Sequence, residues 1–355
     1  MLTALLPTRN RHAQCGQQLR LLSANRFPYR IVVLDASDDG HAADVRAACT
    51  DVAQYRHFGR RYRMADKLAA AVNDVDTPFV ILIPDDDIIL PHAIEAEIAF
   101  LNDNPDFVAA HGYFLAFRMH DDDVDIYDVL GFTPSIVDDS PLLRHYNLFR
   151  RYQSFYWGVF RTGVFASAVK AACAMPVVLF RELTAMSTSI LQGKVARLPV
   201  VHALRGTSQS HAGLHQSHPL FWFLDDAESF FREYVRYRDG IARFIRRKRI
   251  PVPQGVTLEQ VLDVVHGTWL GREIDIGIMN HQARVLLGET IAPIKIPPAW
   301  AGWREPDDND AIHPCATRSR RYIWRNAVIA AEPRAEITIE SDEMERVERQ
   351  LDAYR

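Results

Sequence analysis

The chain has 355 residues, 48% of them apolar and 24% charged, the balance of an ordinary globular protein with room for one large core or two domains. A net charge of −4 and a pI near 6.4 supply no general field for nucleic acid, so no nucleic-acid partner is expected. Four widely spaced cysteines, Cys15, Cys49, Cys173 and Cys315, make neither a disulfide framework nor a zinc motif.

The first strand-like segment, Leu2 to Leu6, begins almost at Met1 and leaves no n-region and h-region for a secretory signal. With no apolar stretch approaching the ~18 residues of a membrane span, the expected location is cytoplasmic. Further strands are predicted at Arg30 to Asp35, Val52 to Phe58 and Phe79 to Ile83. Helices are predicted between them at Ala13 to Ala24, Ala42 to Cys49 and Tyr62 to Val72. This alternation is the βαβ signature of a mostly parallel, doubly wound α/β sheet. Ligands bind such sheets at the carboxyl ends of the strands, and three of those ends carry polar clusters: Thr8 to Arg11, Asp35 to Asp39, and Asp85 to Asp87.

The third cluster is the most informative. The apolar run from Phe79 to Ile83 fits a strand buried on both faces, and after Pro84 it ends in three carboxylates. In an extended segment side chains alternate, so Asp85 and Asp87 are expected on one side and Asp86 on the other. Oxygen ligands of this kind suit Mg²⁺ or Mn²⁺ held by one or two carboxylates and a substrate's phosphates. The same tripeptide at Asp121 to Asp123 follows no apolar strand, and Asp121 to Asp139 reads as a polar loop.

Beyond the acids, Pro91 to Leu101 reads as a helix, Phe107 to Phe117 as a strand, Glu182 to Gln192 as a helix stopped by Gly193, and Val195 to Val201 as a strand. From about His215 the pattern becomes helical: Pro219 to Ile245, then a helix from the Thr257–Gln260 capping box to about Leu270. Lys295 to Pro314 reads as an irregular connection, and Met344, Val347 and Leu351 mark one face of a terminal helix. The Arg246 to Arg249 cluster allows peripheral contact with anionic headgroups, although cations at a helix C-terminus are ordinary dipole complements.

The opening strand with Pro7-Thr8-Arg9-Asn10-Arg11, then Val32 to Asp39, then Lys67-Leu68 through Thr77-Pro78-Phe79-Val80 to Asp85-Asp86-Asp87 and Pro91, resembles the family 2 glycosyltransferases of the GT-A fold, and most closely a bacterial subgroup of them. The resemblance covers about residues 1 to 210. It implies a GT-A catalytic domain over residues 1–214, followed by a mainly helical C-terminal region, 215–355, to which it assigns no role. It also implies inverting transfer of a sugar from a nucleoside diphosphate sugar, with a UDP-sugar favoured, to a hydroxyl acceptor such as a sugar, glycan or lipid-linked glycan. Thr8, Arg9, Asn10, Arg11, Asp35, Asp39, Lys67 and Asp85 would line the nucleotide pocket, with Asp35 reading the base or ribose. Asp85, Asp86 and Asp87 would hold Mn²⁺ or Mg²⁺, the triple leaving the register of the family's Asp-x-Asp motif open. His211, or less favourably His202, would complete the metal shell. The family's general base is an acid at a helix start about a dozen residues before a Gly-Lys pair; Gly193-Lys194 places Glu182 there, preceded by Arg181 where the family more often has an acid. Tyr152 and Trp157 would shape the acceptor side.

Two other functions are compatible with parts of the pattern. A sugar-phosphate nucleotidyltransferase shares the acid-bound cation, but Thr8 to Gly16 holds only one glycine where a phosphate loop is expected. A non-catalytic nucleotide-sugar-binding module would retain the fold and perform no transfer.

Overall fold

The structure, a computed structural model, describes residues 1–119, 123–129, 134–206, 219–286, 321–324, 339 and 341–353. One end of its sheet is a parallel run of four strands, β1 (Leu2–Thr8), β2 (Arg30–Asp35), β3 (Gln54–His57) and β4 (Phe79–Leu82), in the order β3-β2-β1-β4. Alternation along these strands divides one apolar run between two cores. Leu2, Ala4 and Leu6 of β1, with Phe79, Ile81 and Ile83 at β4, pack under α1 (His12–Ala24), α2 (Asp39–Ala48) and α4 (Pro91–Asp103). Leu5, Val80 and Leu82 face the opposite way, toward α3 (Met64–Ala71), α5 (Pro141–Arg150), α6 (Thr162–Ala172) and α7 (Val178–Ile190).

Past β4 the sheet becomes mixed, with antiparallel pairings added to parallel ones. The short β8 (Val159–Arg161) runs antiparallel to both β4 and the long β6 (Phe107–Met119). Strand β9 (Lys194–Gly206) lies parallel to β6 and carries β5 (Asp87–Ile89) antiparallel on its far end. The segment read as a polar loop is corrected: residues 123–129 form β7 (Asp123–Val129), antiparallel to β6, with Val124 and Ile126 fully buried. The aspartates on either side of these two residues masked the period-two pattern. Strand β10 (Arg321–Trp324) adds to the edge of β7.

Three helices follow: α8 (Pro219–Asp225), α9 (Ala227–Arg247) and α10 (Leu258–Leu286). The single predicted helix over 219–245 breaks at Asp226, whose carboxylate accepts from the Ser229 N–H at 2.9 Å and caps α9. The Thr257–Gln260 capping box forms in both directions, at 3.0 and 3.2 Å, and α10 runs well past Leu270. At the end of α9, Arg246 pairs with Glu259 of α10 and the Arg247 guanidinium lies over the Phe244 ring, which ties part of the basic cluster to its own helix pair. The last helix, α11 (Ser341–Ala353), returns to the sheet: Val347 and Leu351 are fully buried there, and Glu343 accepts from Val201 N–H at 2.6 Å. Met344 is half-buried beside them. Residues 295–314 lie outside the described residues. Among the described residues no helix is long and apolar enough to cross a membrane.

Candidate active site

The carboxyl ends of β1, β2 and β4 lie side by side, which brings the three polar clusters together as the sequence implied. The loop after β1 is tied to the loop after β2. Asn10, in the left-handed region with φ 52°, donates its N–H to Ser37 Oγ at 2.7 Å. Its side-chain amide takes the Asp38 N–H at 2.9 Å and donates to the Asp38 carboxylate at 3.2 Å. Asn10 thus acts as a clamp between loops.

Asp35 and Lys67 stand behind this surface, and their expected contact with a nucleotide is corrected. The Asp35 carboxylate is 0% exposed; Ser37 N–H donates to one oxygen at 2.8 Å and Tyr55 OH to the other at 2.8 Å. Lys67 is buried and donates to the carbonyls of Thr8 at 2.7 Å and Leu34 at 2.9 Å, bolting the ends of β1 and β2 together. Burial lowers its pKa to about 8 against the opposing charges of Asp35 and Asp85. Arg9 and Asp39 remain on the exposed side, Asp39 as the first residue of α2.

The acid triplet is not extended, which overturns the alternation argument. Strand β4 stops at Leu82, Asp85 and Asp86 form a bend, and Asp87 begins β5. Asp85 and Asp86 therefore converge on one group: the Arg11 guanidinium lies 3.1 Å from Asp85 Oδ1 and 3.0 Å from Asp86 Oδ2. Thr8 Oγ1 donates to the other Asp85 oxygen at 2.8 Å and fixes its rotamer. Asp87 turns away and is gripped by Arg205 of β9, whose Nη2 donates at 2.7 Å and Nε at 3.1 Å to the same carboxylate oxygen.

Arg205 also feels the charge of the candidate base, Glu182. Its guanidinium lies 5.9 Å from the centre of the half-buried Trp157 ring. Burial works against its charge, and Asp87, Asp86 and Glu182 outweigh that and hold it protonated above its ordinary value. Sequence reasoning missed this residue; the only signal was an arginine ending the apolar stretch Val200–Leu204. Glu182 lies in the second turn of α7, because the helix starts four residues earlier than predicted, at Val178. It is half-buried and accepts from Tyr152 OH at 2.7 Å. Burial raises its carboxyl above the ordinary carboxylate value, while hydrogen bonds from Tyr152 and Ser154 and the charge of Arg205 restrain the rise. Arg181 points elsewhere, donating to the carbonyls of Met175 at 2.8 Å and of Pro176.

His202 is fully buried, with Nδ1 2.7 Å from Glu97 and Nε2 3.0 Å from the Trp157 carbonyl, so neither ring nitrogen is presented to a metal. His211 lies outside the described residues. Among the described residues no three His, Cys, Asp or Glu side chains gather around one point. Two carboxylates do converge, and a guanidinium occupies their focus as a stand-in cation. Hard oxygen donors in that arrangement fit Mg²⁺ or Mn²⁺, which commonly take one or two carboxylates and complete their shell with phosphate and water.

No protein-family model matches the chain. No curated protein matches its sequence. Among solved structures, S. aureus TarS 1-349 superposes with a TM-score of 0.52 over 83% of this chain and 75% of that one, at 14% identity. The mannosyltransferase PcManGT from Pyrobaculum calidifontis, solved with GDP-Man and Mn²⁺, gives 0.47 over 81% and 76%, also at 14% identity. Glucosyl-3-phosphoglycerate synthase from Mycobacterium tuberculosis gives 0.38 over 72% and 82%, at 14% identity. The mixed sheet, its helical layers and the likeness to TarS together show that this chain has the GT-A fold.

Proposed function

We propose that the protein is an inverting glycosyltransferase that moves a sugar from a nucleoside diphosphate sugar, with UDP favoured as the nucleotide, to a hydroxyl acceptor with the aid of a divalent cation. The observation that carries this reading is the convergence of Asp85 and Asp86 on one cationic group at the carboxyl end of β4. Residues 1–214 would form the catalytic domain and 215–355 the helical region attached to it.

Within this reading Asp85 and Asp86 hold the cation, and Thr8 orients Asp85 for it. The cation, when bound, neutralises charge on the departing diphosphate. Arg11, displaced from the two carboxylates, turns with Arg9 toward phosphate oxygens. Asn10, Asp35 and Lys67 keep the pocket wall in shape from behind. Glu182 takes the proton of the acceptor hydroxyl as that oxygen bonds the anomeric carbon, and the bond to the diphosphate breaks on the opposite face. Its raised pKa makes it a stronger base than a solvated carboxylate.

The test is a thermal-shift screen of UDP, GDP, CDP and dTDP, each with and without Mn²⁺, because a ligand confined to the native state raises the melting temperature. A Mn²⁺-dependent rise with one nucleotide, lost in Asp86→Ala, is expected. No rise with any nucleotide removes the reading. Release of pyrophosphate in place of nucleoside diphosphate during donor turnover would instead identify a nucleotidyltransferase.

A further inference from the structure

Arg205 is placed by register: in the antiparallel pairing of β5 and β9 it lies directly opposite Asp87. The grip uses only one edge of the guanidinium, since Nε and Nη2 both go to the Asp87 carboxylate. The carboxylate is 4% exposed, whereas the arginine side chain is 37% exposed. The ion pair therefore anchors the arginine from below, and the Trp157 ring backs it at 5.9 Å. A purely structural pair would have no use for the open edge, where the Nη1 hydrogens are available. The guanidinium as a whole feels the charges of Asp86 and Glu182 as well as that of Asp87.

We propose that Arg205 is a further catalytic residue, whose Nη1 edge binds the β-phosphate of the donor's leaving diphosphate. This rests on the transferase reading above. In that reaction the bond between the anomeric carbon and the β-phosphate oxygen breaks with its electron pair going to the oxygen, and a fixed guanidinium stabilises the charge that develops there. Asp87 is thereby a positioning residue for Arg205, which explains why the third acid of the triplet faces away from the other two. Arginine suits this place better than lysine because its planar fork serves two partners at once, Asp87 on one edge and phosphate on the other.

The experiment compares diphosphate with monophosphate binding by calorimetry, using UDP and UMP, GDP and GMP, CDP and CMP, and dTDP and dTMP, all with Mn²⁺. Two variants are used: Arg205→Lys, which retains a charge for Asp87, and Arg205→Gln combined with Asp87→Asn, which leaves no buried charge unpaired. In both, the advantage of the preferred diphosphate over its monophosphate should fall at least about tenfold, the worth of one charge-assisted hydrogen bond, while monophosphate affinity stays constant and certifies the fold. An unchanged diphosphate advantage overturns the assignment and leaves the transferase reading intact. Such a result would also be the outcome if the open edge met an acceptor carboxylate. Absence of binding by every nucleotide to the unsubstituted protein overturns both.

Discussion

Glu182 and Tyr152 form a pair whose chemistry can be read from one hydrogen bond. The phenol donates to the carboxylate at 2.7 Å and so favours its ionised form, against the burial that disfavours it. Removing the proposed base in Glu182→Gln should lower acceptor-dependent transfer by about 10²- to 10⁴-fold, while donor binding in the nucleotide screen stays unchanged. Tyr152→Phe makes a finer prediction. Without the donor hydrogen bond the Glu182 pKa rises further, so the acidic limb of the pH–rate profile should move to higher pH; a limb that stays in place or moves down would show that Glu182 is not the titrating base. The acid triplet was legible in sequence because an apolar run ending in carboxylates has few structural uses. Which two acids converge was not, since the bend at Asp85 and Asp86 replaces the alternation of a strand. Asp35 and Lys67 were misread for a related reason. A polar side chain at a strand end looks the same in sequence whether it faces a ligand or the next loop, and Arg205 reaches Asp87 across 118 positions of chain.

At the scale of elements, the ends of β1 and β2 depend on one buried ammonium. Lys67 crosses from α3 to two carbonyls, one on each strand. Lys67→Met fits the space but removes both charge-assisted hydrogen bonds, at a cost of roughly 2–3 kcal/mol. The melting temperature should fall by several degrees and nucleotide affinity should weaken with it, because the Thr8 to Arg11 loop starts from the carbonyl that Lys67 holds. A variant as stable as the parent would show that Ala36 N–H, which also donates to Thr8 O at 3.1 Å, suffices for that end. The elements around this bolt, β1 through β4 with their helices, and α4, were predicted within a few residues, since each is a run of one clear period, whereas β5 was not predicted. Those that were misjudged have identifiable causes. The acids of β7 concealed Val124 and Ile126, and α7 begins at Val178 without a capping side chain to announce it.

For the whole molecule, the decisive fact is that α8, α9 and α10 share a core with α5 and α7. Phe180 of α7 stacks on Tyr237 of α9 with ring centres 5.3 Å apart and meets Trp222 of α8 at 5.5 Å. A polar chain crosses the same boundary, from His145 to Ser187 at 3.0 Å, Ser187 to Tyr237 at 2.8 Å and Tyr237 to His266 at 3.3 Å. A chain cut after residue 214 would expose this apolar surface, and it should aggregate or unfold without a cooperative transition, as near-ultraviolet circular dichroism would show. The buried histidines also set how the fold responds to acid. Burial pushes His145 down to about 3, His111 down to about 4, and His266 well below the ordinary 6.5. The unfolded chain takes up protons on all three as pH falls below 6.5, whereas the native chain does not until much lower, so stability rises with pH across that window and is lost on acidification. Each such histidine contributes up to roughly 1.4 kcal/mol per pH unit. Glu97 and Glu182, raised by burial, act in the opposite direction, so the telling measurement is a difference. In urea titrations at a series of pH values between 4.5 and 6.5, His145→Leu should flatten the pH dependence by about one proton relative to the parent, with Ser187 keeping its bond to Tyr237. Equal slopes would mean that His145 is already protonated in the folded state, and that the boundary between α5 and α7 admits water.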